Sequence, residues 1–201
     1  MKFYSKLVKI TDREVEAIIS QFNSEYIFDE YAIATGKEHD LFVMAEELSE
    51  LGTELLNPTP DSLSIMEELI DLDICKSVYL HFIQIHNERD IDALSSNVKI
   101  MARNDLLSVI FKCIKLCSKI YRNDSTTDTD ECSTELMINV TAIIDYVYNY
   151  YIQANKKMME STNDSDYSFF LKLKAVKYDR VYKRLQNIKA QSQKQGDLPN
   201  N

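Results

Sequence analysis

The sequence predicts an all-α protein, a multi-helix bundle of about six helices. Three observations carry that expectation. Apolar residues recur at helical spacing along nearly the whole chain. Only three glycines and three prolines occur in 201 residues, far fewer turn residues than a sheet protein of this length uses. Apolar residues make up 45% of the chain, enough for one sizeable core and too many for global disorder. One domain is expected over residues 1–190, followed by a disordered tail at 191–201.

The elements follow in order. Thr11-Asp12-Arg13-Glu14 is a capping box: the Thr hydroxyl accepts from the Glu amide and the Glu carboxylate reaches back. A helix therefore starts near 12 and runs through Ile18, Ile19 and Phe22, and Gly36-Lys37 marks a break. A second helix covers 40–56, with Met44, Leu48, Leu51 and Leu55 on one face. Asn57 to Asp61 ends it; Thr59 is the expected cap of the next helix, with Pro60 at its first position. That third helix, 60–86, is apolar nearly all round, the mark of a helix central in its bundle. A fourth covers 104–122, an acidic, Thr-rich loop 123–131, a fifth helix 132–159, a polar break 161–165, and a sixth helix 167–190.

Charge excludes several functions. The net charge is −9, which argues against general nucleic-acid binding, where cations must neutralise phosphates. No apolar run is long enough to span a membrane, and the N-terminus becomes charged too early for a signal peptide. Cys75, Cys113, Cys117 and Cys132 form no Cys-x-x-Cys pair and read as reduced, mostly buried thiols of a cytoplasmic protein. The charge is also uneven: residues 172–194 hold eight cations against Asp179 alone. That run is either a solvated helix face or an anion-gripping helix.

The chemistry-bearing residues are acidic. Glu46, Glu47 and Glu50 stand on the second helix, Glu68 and Asp71 on the third. Three-residue spacing puts Glu47 with Glu50, and Glu68 with Asp71, on common helix faces. A short loop joins the two helices, so they are expected to be antiparallel neighbours with the two pairs facing each other. Glu68 and Asp71 interrupt an otherwise apolar helix, and a buried, unpaired carboxylate costs several kcal/mol. Four converging carboxylates need cations between them, and hard oxygen ligands select Mg²⁺ or Mn²⁺. Di-iron chemistry would need Glu-x-x-His motifs, but Gly36, Val78 and Ile83 precede His39, His81 and His86 by three residues.

Glu47-Leu48-Ser49-Glu50, then 17 residues, then Glu68-Leu69-Ile70-Asp71, on consecutive helices, resembles the all-α nucleoside triphosphate pyrophosphohydrolase superfamily, which includes MazG-like enzymes and dimeric dUTPases. The resemblance implies that Glu47, Glu50, Glu68 and Asp71 hold Mg²⁺ (or Mn²⁺) and that water attacks the α-phosphorus of a nucleoside triphosphate. It makes Glu46 or Glu47 the base and Lys177, Arg180 and Arg184 the phosphate contacts. It also implies a homodimer or homotetramer, and raises the option of an internally duplicated four-helix unit. Glu135-Leu136-Met137-Ile138 would then be the worn copy of the second motif. Ile74, Cys75 and Val78 stand where the dUTPase branch reads its base, so that style of pyrimidine readout is not expected. Two other readings stay open: a non-catalytic helical interaction protein, and a hydrolase of another pyrophosphate such as a nucleotide sugar or alarmone.

Overall fold

The Thr11 capping box forms as its sequence requires. The Thr11 N–H donates to Glu14 Oε2 (2.8 Å), and the Glu14 N–H donates to Thr11 Oγ1 (3.4 Å). The computed structural model describes residues 10–24, 26–83, 88–122, 126–152 and 166–196. Among these, eight α-helices and no strand are found: α1 Asp12–Ser24, α2 Ile27–Thr35, α3 Lys37–Leu56, α4 Ser62–Tyr79, α5 Glu88–Ser95, α6 Arg103–Arg122, α7 Thr126–Val147 and α8 Asp166–Gly196. A 3-10 turn, Leu80–Phe82, follows α4, and a π-helical stretch, Tyr148–Ile152, follows α7. No helix among the described residues is long and apolar enough to cross a membrane.

The all-α expectation holds; the count of about six does not. α2 is a separate helix, ended by Gly36 at φ 88°, a conformation that favours glycine. The chain restarts at once, so Gly36 alone is the break and Lys37 already belongs to α3. α5 is the second addition, a short helix that buries Ile91 and Ser95 and packs on α7. The cap of α4 is Asp61, not Thr59: its carboxylate accepts from the Leu63 N–H (3.2 Å), and Pro60 lies outside the helix. The expected loop at 123–131 is largely helical from Thr126. Its composition misled because Asp130 and Glu131 face solvent, while Cys132, Ser133, Leu136 and Met137 turn inward a turn later. α8 continues through 191–196, where a tail was expected. The N-terminal leader reading (1–9), the 153–159 extension, the 161–165 break and the end of the tail (197–201) lie outside the described residues.

Four helices form the centre. α3 packs on α4 and α6, and α7 packs on α4 and α6, so the cyclic order is α3, α4, α7, α6. The α3 stripe of Met44, Leu48, Leu51 and Leu55 is almost completely buried, about 1.5–3 kcal/mol per side chain. Gly52 lets α6 approach; its Cβ position lies 3.6 Å from Ile110 Cγ2. α4 touches four other helices, α2, α3, α7 and α8, as its all-round apolarity requires. Tyr79 closes the α4–α7 contact through a buried hydrogen bond to Ser133 (3.0 Å). α8 lies outside the four, across α1, α2 and α4, and this position delivers its cations to the carboxylate helices.

Candidate active site

α3 and α4 run antiparallel, joined by the loop at 57–61. The helical period turns Glu47 and Glu50 toward α4 and Glu68 toward α3. One carboxylate oxygen from each of Glu47, Glu50 and Glu68 lies within 4.8 Å of the others. Glu68 shares a hydrogen bond with Glu50. Burial, then repulsion from Asp71, Glu68 and Glu50, pushes Glu47 up to about 8, with Lys177 pulling the other way. Burial, then Glu50 and Asp71, pushes Glu68 up to about 7. Both shifts express burial first and crowded like charge second, only partly offset by Lys177.

Asp71 departs from the expected foursome. It accepts a salt-bridged hydrogen bond from Lys177 of α8; the lysine side chain is buried, while Asp71 is half-buried. One turn away on α8, Lys174 pairs with Asp73 at 2.8 Å. Burial works against the Lys174 charge, but Asp73 and Tyr178 outweigh it, so its pKa is raised. These two pairs fasten α8 onto α4. Lys177, expected as a phosphate contact, is thus first of all the counter-ion of Asp71.

A cavity of about 350 Å³ opens beside the cluster. Its walls include Glu46, Glu47, Glu50 and Asp71, together with Lys177, Arg180 and Arg184 from α8. Seven of the eight sequence-derived site residues therefore meet at one cavity, and the eighth, Glu68, belongs to the carboxylate group beside it. Glu46 is exposed; Glu47 is half-buried. Cys75 also lines the cavity, a buried thiol whose pKa burial and then Glu47 push well up.

The sequence reading missed Asp40. It stands seven residues before Glu47, on the same face of α3, and lines the same cavity while only 5% exposed. The helical period carried two turns back from Glu47 would have found it. Of the three histidines, His39 lines the cavity, His81 Nδ1 lies 3.0 Å from Asp29, and His86 is outside the described residues. In the second hairpin, α6–α7, Glu135 pairs with Lys112 at 2.7 Å, and Ile138 stands where an Asp would complete the motif. That position holds an ion pair, not a carboxylate cluster.

Comparison of the chain with protein-family models, curated proteins and solved structures finds no match.

Proposed function

We propose that the protein is a Mg²⁺-dependent nucleotide pyrophosphohydrolase, cleaving a nucleoside or deoxynucleoside triphosphate to monophosphate and pyrophosphate. The observation that carries this reading is the convergence of Glu47, Glu50 and Glu68 beside a cavity that Lys177, Arg180 and Arg184 also line. The donor set fits a hard divalent cation: every ligand atom is a carboxylate oxygen, and three such oxygens lie within 4.8 Å of one another. Glu47, Glu50 and Glu68 would hold Mg²⁺ or Mn²⁺, with Asp71 able to join by exchanging its lysine. When bound, the metal supplies neutralisation of phosphate charge and a lowered pKa for water.

The chain's own groups do the rest. Lys177, Arg180 and Arg184 hold the triphosphate, which a protein of net charge −9 binds only through local cations. Glu46 or Glu47, in its ionised form, takes the proton of the attacking water. The water oxygen bonds to the α-phosphorus as the bond from that phosphorus to the bridging oxygen breaks. Pyrophosphate leaves with the electron pair. The resemblance also carries homo-oligomeric assembly, for which the exposed Phe42, Phe111 and Tyr121 on α3 and α6 offer apolar surface.

The rival is a non-catalytic helical interaction protein, and the Asp71–Lys177 pair favours it, because an internal cation already stabilises one carboxylate. Metal binding and turnover separate the two. With Mg²⁺ or Mn²⁺ and a panel of nucleoside triphosphates, pyrophosphate should be released and chelator should abolish the reaction. Full activity in excess EDTA, or orthophosphate as the primary product, would overturn the proposal.

A further inference from the structure

The cavity has two unlike ends. At one end stand Glu46, Glu47, Glu50 and Asp71. Because α3 and α4 are antiparallel, moving toward the N-terminus of α3 is moving toward the C-terminus of α4. In that direction the walls become Val43, Ile74, Cys75 and Val78, with Tyr31 from α2 alongside. His39 and Asp40 of α3 also line the cavity, and α8 contributes Arg180, Val181 and Arg184.

Asp40 is anomalous there. Its side chain is 95% buried, and its Oδ2 has no hydrogen-bond partner. Its Oδ1 accepts from the Thr35 hydroxyl at 2.9 Å, but that Oγ1 also lies 2.9 Å from the Tyr31 carbonyl oxygen, so one proton serves two acceptors. The carboxylate thus holds at best one shared hydrogen bond. Burial, the leading cause, pushes its pKa up to about 6, with Thr35, His39 and His81 opposing. An acceptor buried without a donor costs free energy, and such groups are ordinarily satisfied unless something else is meant to fill them.

The spacing says what that something is. Asp40 and Glu47 are seven residues apart, two helical turns, about 10 Å along α3. That is the reach of an extended nucleotide from the edge of its base to its first phosphates. A flat ring between Val43, Ile74, Val78 and Tyr31 would present its edge to Asp40 while the phosphates lie at the carboxylate end.

We infer that Asp40 is the base-reading residue of this site and selects nucleotides whose base carries a ring amino group: cytosine, adenine or guanine. The inference rests on the pyrophosphohydrolase reading and deepens it. An amino N–H at the ring edge donates to the free Oδ2. Uracil and thymine carry no exocyclic amino group: their edge offers keto oxygens, whose lone pairs oppose the carboxylate, and a single N3–H. Asp40 is then a specificity residue: it touches the base, not the reacting phosphorus.

The test is a comparison of kcat/KM at pH 8, where the Asp40 carboxylate is ionised, for dCTP, dATP, dGTP, dUTP and dTTP with Mn²⁺. At least one amino-bearing nucleotide should exceed both dUTP and dTTP by about tenfold or more. Asp40→Asn should collapse that ratio and raise use of dUTP or dTTP, because its amide donates to a keto oxygen. Asp40→Ser, which removes the charge in a smaller side chain, should collapse it without the gain, and serves if the Asn variant does not fold. A wild-type protein that turns over all five alike, or a ratio unmoved in the folded variants, overturns the inference and leaves the pyrophosphohydrolase reading standing. No hydrolysis of any nucleotide overturns both.

Discussion

Glu68 is where function and stability make opposite demands. Among the described residues it forms no ion pair; burial first, then Glu50 and Asp71, raise its pKa to about 7, with Lys177 opposing. Glu68→Gln keeps the shape, and the amide can donate to Glu50 as the protonated acid does. The metal-free melting temperature should therefore hold or rise, while turnover falls by about a hundredfold or more. Melting curves in EDTA and turnover per folded molecule check this. A large fall in metal-free melting temperature with near-normal turnover would mean that Glu68 is a structural carboxylate. The sequence made this cluster legible because residues three apart on a helix share a face, so Glu47 with Glu50 needed no tertiary information. It left the Asp71–Lys177 pair illegible, because those partners are 106 residues apart and no local period links them.

α8 shows the same divide among the elements. Its existence followed from periodicity; its role followed only from where it docks, through Lys174 and Lys177 on α4 and Lys189 on Glu30 of α2. α5 escaped notice because eight residues with one buried isoleucine carry too little period to stand out. The start of α7 was hidden by its solvent-facing turn. The α3–α6 contact yields a prediction of its own. Gly52 is helical and buried, and an added Cβ would sit at ordinary contact distance from Ile110, 3.6 Å away. Gly52→Ala should thus stabilise the protein by about 0.5–1 kcal/mol through helix propensity, without overpacking. A higher denaturant midpoint at unchanged m-value is the expected reading; a lower midpoint would show that the α3–α6 contact has no room for the methyl group.

For the whole molecule, the raised carboxylates set how stability depends on pH. Glu47 and Glu68 have folded values of about 8 and about 7 against an ordinary 4.5. Between those limits the folded state holds protons that the unfolded chain releases. Their contribution is complete below pH 4.5 and is lost as pH rises through 7 to 8. Asp40, raised to about 6, adds to the same trend. The metal-free protein should lose on the order of 2 kcal/mol across this range, reduced by the solvent that reaches half-buried groups. Added Mn²⁺ should restore most of the loss at pH 8 and little at pH 5, because only deprotonated carboxylates bind it. Melting temperature against pH, with and without Mn²⁺, reads both effects; a metal-free profile that climbs from pH 5 to 8 would contradict the crowded cluster.

The four free cysteines turn the molecule into its own stopwatch. All are buried, Cys75 on α4 at the cavity, Cys113 and Cys117 on α6, Cys132 on α7. Burial leads in pushing the Cys75, Cys113 and Cys117 thiols up, Cys117 to about 12, so these three offer a reagent almost no thiolate at neutral pH in the native state. Alkylation then counts openings. A lifting of α8 alone uncovers Cys75, whereas Cys113, packed inside the four-helix centre, waits for the bundle to part. Mass-resolved labelling should find Cys75 modified first, with the interval between the two sulfurs measuring how much more readily the outer strap yields than the bundle beneath it.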